Sequence, residues 1–354
     1  MQMSTNLLPD LSLGLEDTHV LITGGAGAIG VGVVRAFLAA GALVTALDIK
    51  PDPASDPAAA PDPDSTLTSG PNPTGPNPPP RPRHPNLLWI QADITSESQL
   101  ESAFATATRH HGGRPVASCV ALAAIDLSYL PHHDSLADMP LSQWRETHRV
   151  NVEGTFLTAR TWLRGVRDHV GRNGNRDADA DGSGKGKGQG RTGEGLRNVG
   201  LVIIGSEAAE IGVRGNADYS AGKSAVQAGL MHSLKDDVRK IHPRARVNVV
   251  APGCVDTQAF RDECRRAEDP HGGDGDGDQG AQGDEYARYY RWRESQATTA
   301  TAAPIPVDDV ARAVLFLASE RWSGSVTGQV VRVDGGKAGR VCWMPGEKEK
   351  EKKG

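Results

Sequence analysis

Short apolar runs alternate along the chain with longer segments in which apolar residues recur every three or four positions. The short runs predict buried β-strands at 20–23, 43–47, 87–90, 116–122, 201–204, 246–250 and 329–333. The longer segments predict helices at 29–40, 96–109, 141–167, 219–239 and 307–319. Continuous apolar strands separated by helices are typical of a parallel sheet covered on both faces. Right-handed crossovers then give a doubly wound α/β fold.

Three segments interrupt this pattern with compositions that cannot bury enough surface to fold. Residues 51–85 are rich in proline, residues 171–198 in glycine mixed with Asp and Lys, and residues 268–284 in Gly, Asp and Gln. Each lies between predicted elements, where added length costs little closure entropy. We therefore predict one domain at 15–345 that carries three disordered insertions, followed by a charged tail at 346–354.

Charge and cysteine content narrow the class of protein. The 354 residues carry a formal net charge of −5, which argues against a general nucleic-acid binder. The four cysteines have no CxxC spacing, as is usual in a reducing compartment. The longest apolar stretch, 31–47, is broken by Arg35 and is shorter than the ~20 residues of a membrane span. No basic segment followed by an apolar run opens the sequence, so we expect a cytoplasmic protein without a secretory signal.

A glycine-rich turn joins the first strand to the first helix. Gly25, Gly27 and Gly30 satisfy the GxGxxG pattern, which lets backbone N–H groups approach a pyrophosphate at a helix N-terminus. Asp48 ends the second strand, where a carboxylate can accept hydrogen bonds from both hydroxyls of an adenine ribose. This carboxylate, and a turn without Lys or Arg, favour NAD(H) over NADP(H). A tight strand–helix turn with no ligand is the alternative.

Tyr219 and Lys223 lie four residues apart on one face of a predicted helix. An ammonium group near a phenol stabilises the phenolate, which lowers the pKa of the phenol toward the range of a general base. Ser206 follows the predicted strand at 201–204 and so lies at the carboxyl edge of the sheet, where ligands bind. A hydroxyl there can hold a substrate oxygen while Tyr219 moves a proton. A surface Tyr–Lys pair is the alternative.

Several motifs occur together in a fixed order: Thr23-Gly24 to Gly30, Asp48, Asp93, Asn151, Ser206, Tyr219 with Lys223, Pro252-Gly253 and the stretch 328–336. In this combination the chain resembles the short-chain dehydrogenase/reductase family over about residues 15–336. The resemblance implies a Rossmann-like single domain and a catalytic set of Ser206, Tyr219, Lys223 and Asn151. In that set Tyr219 is the acid/base, Lys223 lowers its pKa and binds the nicotinamide ribose, Ser206 orients the substrate oxygen, and Asn151 holds a water of the proton relay.

The resemblance also implies a set of cofactor-binding residues. Asp93 corresponds to an adenine contact, and Val255 and Thr257 to contacts of the nicotinamide carboxamide. The whole set is Gly24, Gly25, Gly27, Ile29, Gly30, Asp48, Asp93, Ala123, Asn151, Tyr219, Lys223, Pro252, Gly253, Val255 and Thr257.

Two positions depart from the family pattern. Ala28 stands where the middle glycine of Thr-Gly-x-x-x-Gly-x-Gly is usual. Residues 121–124 read Ala-Leu-Ala-Ala where Asn-Asn-Ala-Gly is usual after the fourth strand. The second change removes side chains that tie this strand end near the cofactor.

The sequence therefore predicts an NAD(H)-dependent oxidoreductase that interconverts an alcohol and a ketone or aldehyde. Its expected partners are a small-molecule alcohol or carbonyl compound and further copies of itself, as a homodimer or homotetramer. A catalytically idle NAD-binding regulator on the same fold is the first alternative. A sugar epimerase or dehydratase is the second, although the short C-terminal part leaves little room for a sugar nucleotide.

Polar and aromatic clusters also occur outside the predicted catalytic and cofactor-binding sets. We expect no metal site, because the acidic runs at 177–182 and 274–285 lack essential features of a calcium loop and 132–134 resembles a solvated loop. Three tyrosines share a predicted helical face: Tyr286, Tyr289 and Tyr290. With Trp292 they predict either a lid over the substrate or a subunit contact.

Overall fold

The predicted strands form one sheet in which every neighbouring pair is parallel. The computed structural model describes residues 10–51, 81–133, 135–179, 195–266 and 298–337, and only the backbone of 172–179 and 263–266. In chain order the strands are β1 (His19–Thr23), β2 (Leu43–Asp48), β3 (Leu87–Gln91), β4 (Ser118–Ala121), β5 (Gly200–Ile204), β6 (Arg246–Pro252) and β7 (Val330–Val333). Across the sheet their order is β3-β2-β1-β4-β5-β6-β7. The predicted doubly wound α/β fold is confirmed.

Helices connect the strands and cover both faces of the sheet. They are α1 (Ala28–Ala39), α2 (Glu97–His110), α3 (Leu141–His148), α4 (Thr155–Asp179), α5 (Ala208–Ile211), α6 (Ala217–Ser224), α7 (Met231–Ile241), α8 (Gln258–Arg266), α9 (Val307–Ala318) and α10 (Glu320–Ser323). Two helices that the sequence predicts as continuous each contain a π-helical turn, at Arg149–Gly154 and at Ala225–Leu230. Apolar periodicity does not reveal these turns, because a wider turn adds one residue to the helix and depends on tertiary contacts that the periodicity does not record.

Alternation along the strands divides the core into two layers. Val20 and Ile22 of β1 pack on one face with α1 and α9, while Leu21 packs on the other with α2, α4 and α7. On the second face Trp162 is buried, and its indole N–H donates to the Ala117 carbonyl at 3.2 Å. Burial of each large apolar side chain stabilises the fold by about 1.5–3 kcal/mol, so the two layers hold the sheet rigid beneath its loops.

The first predicted insertion has ordered ends that meet. The Arg81 guanidinium donates to the Pro51 carbonyl at 2.6 Å and lies 5.5 Å from the centroid of the Trp89 ring in β3. The Trp89 indole N–H also donates to the Pro82 carbonyl at 3.4 Å. Residues at the C-terminal end of this segment therefore pack on the domain.

The second predicted insertion begins within a helix and ends at a buried residue just before β5. Helix α4 continues to Asp179. At the other end Asn198 is buried and its side-chain amide donates to the Gly14 carbonyl at 2.7 Å. Residues 52–80, 180–194, the third insertion at 268–284 and the charged tail lie outside the described residues. In the described part of the chain, no helix has both the length and the apolarity that a membrane span requires.

Because the ends of the first insertion meet, we expect the intervening chain to be dispensable for folding. Replacement of residues 53–80 by a four-residue Gly/Ser link should leave the melting temperature unchanged or slightly higher, since loop shortening changes the closure entropy by well under ~2 kcal/mol. Differential scanning calorimetry measures this. A matched deletion that also removes Arg81 and Pro82 should lower the melting temperature, because it removes the contacts to Trp89. A fall of more than ~5 °C in the shorter deletion would contradict the expectation.

Candidate active site

The carboxyl ends of β1, β2 and β4 meet where the strand order changes direction. Thr23 at the end of β1 is paired in register with Leu47 of β2 on one side and with Ala121 of β4 on the other. In open α/β sheets this change of direction opens a crevice above the strand ends. The predicted cofactor residues of the first half of the chain lie around this crevice.

The glycine turn has the compact geometry that its sequence predicts. Gly24 has a φ of 71°, which favours glycine, and the Gly25 N–H donates to the Leu47 carbonyl at 3.0 Å. A Cβ on Gly30 would lie 2.1 Å from the Gly24 carbonyl oxygen, so the first turn of α1 packs directly on the glycine turn. At Gly27, the N-cap of α1, an added Cβ would meet only the Gly24 oxygen at 3.4 Å. Gly30 therefore closes the turn, while Gly27 keeps its outer surface open.

The departure at Ala28 has a structural explanation. Ala28 is the first residue of α1 and is followed by Ile29. It is not among the non-glycine residues that have a positive φ in the described part of the chain. An alanine fits this helical position without strain.

Thr23 ties the end of β4 to the glycine turn. Its hydroxyl oxygen accepts the N–H groups of Leu122 at 3.1 Å and Ala123 at 3.2 Å. A Cβ on Gly24 would lie 2.8 Å from the backbone of Ala123, so the two segments are in close contact. Backbone bonds to Thr23 thus hold the strand end that lacks the family's usual asparagines.

Asp48 faces the glycine turn from the end of β2. One carboxylate oxygen accepts the Ala26 N–H at 2.9 Å, and the other accepts the Lys50 N–H at 3.0 Å. Asp93 lies beyond β3, where one of its oxygens accepts both the N–H and the hydroxyl of Thr95 at 2.8 Å. Both carboxylates have fixed orientations at the same edge of the sheet.

Tyr219, Lys223 and Ser206 come together between β5 and α6. The Tyr219 and Lys223 side chains are buried, with 6% and 5% exposure, and the Lys223 Nζ lies 5.7 Å from the Tyr219 ring centroid. The ammonium donates to the Ile204 carbonyl at the end of β5, at 2.9 Å. The Ser206 side chain lies within hydrogen-bonding reach of the Tyr219 hydroxyl. The structure therefore gathers these three groups at one point of the carboxyl edge.

Asn151 joins this group from the π-helical turn between α3 and α4. Its side-chain oxygen accepts the Ile125 N–H at 2.7 Å, and its amide donates to the Ile125 carbonyl at 3.1 Å. A wider helical turn is a frequent device at functional sites because it re-aims one side chain out of the helix. Here the re-aimed side chain holds the loop that follows β4.

The pKa of Tyr219 moves in the direction opposite to the sequence-based expectation. Burial raises the pKa of this phenol, the Asp126 carboxylate raises it further, and the Ser206 hydrogen bond lowers it in part. Burial also lowers the pKa of Lys223 to about 8, although Asp126 acts against that shift. The phenol is therefore protonated near neutral pH, which suits a group that donates a proton.

The end of β6 and the segment that follows it are held by backbone contacts to neighbouring elements. The Gly253 N–H donates to the Val333 carbonyl at 2.9 Å, and the Pro252 carbonyl accepts the Glu207 N–H at 3.0 Å. Val255 pairs with Ile305 through a parallel β-bridge. The Thr257 hydroxyl oxygen accepts the Phe260 N–H at 3.2 Å, near the start of α8. Pro252 and Gly253 thus lie against Glu207, the residue after Ser206, and Val255 and Thr257 follow in the same segment.

Three polar residues that sequence reasoning missed also lie here. Lys337 donates to the Glu207 carboxylate at 2.7 Å beside Ser206. Asp218 is fully buried one residue before Tyr219 and accepts the Thr147 hydroxyl of α3 at 2.7 Å. Gln227 is buried in the second π-helical turn. A charged or amide residue at a buried helical position is the signal that could have indicated Asp218 and Gln227.

Among the described residues, no group of three or more His, Cys, Asp or Glu side chains has a geometry that could hold a metal ion. The tyrosine cluster predicted as a lid or subunit contact lies outside the described residues.

Comparison with known proteins shows similarity to one family. The short chain dehydrogenase family model matches residues 197–268, which carry Ser206, Tyr219 and Lys223. An acetoacetyl-CoA reductase of Synechocystis sp. is 25% identical over 330 residues, 92% of this chain and 98% of the relative.

Solved structures agree in fold. An aldohexose dehydrogenase of Thermoplasma acidophilum superposes with a TM-score of 0.62 at 21% identity, covering 94% of this chain and 98% of its own. A 3-ketoacyl-(acyl-carrier-protein) reductase of Brucella melitensis, complexed with NADH, has a TM-score of 0.60 at 19% identity and covers 91% and 99%. In sequence and in fold the chain is thus similar to the short-chain dehydrogenases/reductases, a family of oxidoreductases.

The different surroundings of two glycines in the turn lead to a paired prediction. Gly30→Ala should lower the melting temperature, because its Cβ would clash with the Gly24 carbonyl, whereas the matched variant Gly27→Ala should fold with nearly wild-type stability. Thermal unfolding followed by circular dichroism measures both. Equal melting temperatures for the two variants would show that the turn is not packed as described.

Proposed function

We propose that the protein is an NAD(H)-dependent oxidoreductase that interconverts an alcohol and a ketone or aldehyde. The observation that carries the proposal is the buried phenol of Tyr219, within reach of the Ser206 hydroxyl and beside the Lys223 ammonium. A protein that only binds a nucleotide has no use for a buried acid/base of this kind. The similarity to short-chain dehydrogenases and the nearby glycine turn support the same conclusion.

The residues of the crevice fit a dinucleotide. No described side chain caps the N-terminus of α1 at Gly27, so the first N–H groups of this helix are suited to the oxygens of a pyrophosphate. Asp48 would bind the adenine ribose hydroxyls and disfavour a 2′-phosphate, which favours NAD(H) over NADP(H). The remaining contacts would come from the other predicted cofactor-binding residues, with Asp93 at the adenine and Val255 and Thr257 at the nicotinamide. When bound, the nicotinamide supplies or accepts the hydride.

Tyr219 would handle the proton. In the reducing direction its protonated phenol donates to the carbonyl oxygen of the substrate, and in the oxidising direction the phenolate accepts the hydroxyl proton. Ser206 would hold the same substrate oxygen by a hydrogen bond. The positive charge of Lys223 stabilises the phenolate that forms, and burial of both groups strengthens this interaction.

Asn151 would act mainly by position. Both polar atoms of its side chain are bonded to the backbone of Ile125 in this structure, and Ile125 lies one residue before Asp126. We infer that Asn151 sets the distance between the loop after β4 and Tyr219. Asn151 would also hold a water of the proton relay.

The substrate would be a small-molecule alcohol or carbonyl compound. We also propose one domain over residues 15–345, a homodimeric or homotetrameric assembly, and a cytoplasmic location, which the scattered cysteines favour.

The acid/base assignment predicts that Tyr219→Phe removes most turnover and leaves NADH binding nearly intact. The loss should be of the order of ~10²–10⁴ in kcat, the usual contribution of general acid–base catalysis. Absorbance of NADH during a screen of alcohols and carbonyl compounds measures turnover, and NADH fluorescence measures binding. Tyr129→Phe is a matched control, because Tyr129 is exposed. A Tyr219→Phe variant with half of the wild-type rate would refute the assignment, and NADH binding without turnover in the wild type would favour the idle regulator.

The cofactor assignment predicts that Asp48 sets the preference for NAD(H). Asp48→Ser should raise the KM for NAD(H), because the acceptor for the ribose hydroxyls is lost. It should also reduce the difference between the KM values for NADP(H) and NAD(H), because a like-charge contact with the 2′-phosphate is removed. Asp48→Asn separates charge from shape, since its oxygen can still accept the Ala26 N–H. Ile49→Ser, at an exposed neighbouring position, is the control. A wild-type preference for NADP(H) in steady-state kinetics would contradict this assignment.

A further inference from the structure

The backbone of Ser206 is held by a buried side chain that takes no direct part in the proposed reaction. The Ser206 N–H donates to the Gln227 Oε1 at 3.1 Å, and Gln227 is only 3% exposed. A buried amide that makes such a bond fixes the peptide it contacts, because loss of the bond leaves a buried donor unsatisfied. Gln227 therefore restrains the residue whose hydroxyl faces Tyr219.

The π-helical turn at Ala225–Leu230 positions this amide. The turn directly follows α6, which carries Tyr219 and Lys223. One continuous helical segment thus carries the acid/base, its lysine and the side chain that holds Ser206. Any movement of this segment displaces all of these groups together.

The close approach of the backbone makes the contact specific. A Cβ on Gly205 would lie 2.1 Å from the Gln227 Oε1 and 2.8 Å from the Val249 Cγ1. The peptide before Ser206 therefore packs directly against the amide oxygen, in a space that only glycine leaves open.

A second bond fixes which way the amide points. Its Nε2 donates to the Glu210 carboxylate at 3.3 Å, and Glu210 is paired with Arg332 of β7. Because the nitrogen is directed to Glu210, the oxygen is directed to Ser206. The Glu210–Arg332 pair is half exposed and lies at the outer end of this series of contacts. From there Glu210 orients the Gln227 amide.

We propose that Gln227 is a positioning residue that sets the place of the Ser206 hydroxyl relative to Tyr219, with Glu210 orienting the Gln227 amide. This inference rests on the proposed function, in which Ser206 holds the substrate oxygen. Gln227 acts only through Ser206, so its removal affects the chemical step and leaves cofactor binding unchanged.

Gln227→Leu should lower kcat by roughly 10- to 100-fold, the usual effect of displacing a reacting group by about 1 Å, with an unchanged KM for NADH. Gln227→Glu combined with Glu210→Gln keeps an oxygen for the Ser206 N–H and an amide–carboxylate bond between the two positions, and it should restore much of the rate. Val226→Ala is the matched control, because Val226 is buried in the same turn and makes packing contacts only. It should lower the melting temperature without a comparable loss of kcat. The assay is NADH oxidation with a panel of aliphatic ketones, diketones, aldehydes and β-oxoacyl thioesters.

The deciding readout is a double-mutant cycle with Ser206→Ala. If Gln227 acts through the Ser206 hydroxyl, Gln227→Leu should have little further effect on kcat in the Ser206→Ala background. Fully additive losses would show that Gln227 only stabilises the fold and would overturn the inference. Glu210→Ala, at a half-exposed position, should give a smaller loss of kcat that also disappears in the Ser206→Ala background. This variant decides the question if Gln227→Leu does not fold.

Failure of the inference and failure of the proposed function give different results. If Ser206→Ala lowers kcat while Gln227→Leu and Glu210→Ala match the wild type, the positioning role is wrong and the proposed function stands. If Ser206→Ala and Tyr219→Phe both retain the wild-type rate, the proposed function itself is wrong.

Discussion

Parallel pairing of all the described strands is the constraint on which the site depends. Strands that run in one direction need a crossover after each of them, and the crossovers return the chain so that all carboxyl ends meet at one edge. The order β3-β2-β1-β4-β5-β6-β7 places the change of direction between β1 and β4. The glycine turn and the Ser206–Tyr219–Lys223 group, far apart in sequence, therefore lie at the same edge of the sheet.

Backbone groups at and after the strand ends hold several side chains of the candidate site in place. Lys223 is bonded to the last carbonyl of β5, Thr23 holds the N–H groups that follow β4, and Asn151 bonds both backbone groups of Ile125. Polar side chains buried at a sheet edge lose contact with water, so such bonds are needed to offset their desolvation. The same desolvation raises the pKa of Tyr219 and keeps its proton on the phenol near neutral pH.

The strands and the gathering of Ser206, Tyr219 and Lys223 were predictable from sequence, because buried parallel strands leave continuous apolar runs and a spacing of four places two residues on one helix face. The π-helical turns were not, since a wider turn depends on tertiary contacts that periodicity does not record. The Glu207–Lys337 contact joins segments that are remote in sequence. The direction of the pKa shift of Tyr219 was not predictable either. Spacing reveals the lysine, which would lower the pKa of the phenol, but only the fold reveals the burial and the Asp126 carboxylate that raise it.

We propose that the Tyr219 site performs hydride transfer and does not bind a nucleotide alone. NADH deuterated at the transferable position of nicotinamide C4, incubated with the protein and a panel of carbonyl compounds, tests it most directly by mass spectrometry of the products. Hydride transfer should yield an alcohol that carries a single deuterium on the former carbonyl carbon, and Tyr219→Phe should lose that product. Bound NADH without deuterated alcohol from any compound in the panel, or undiminished transfer in Tyr219→Phe, would contradict it.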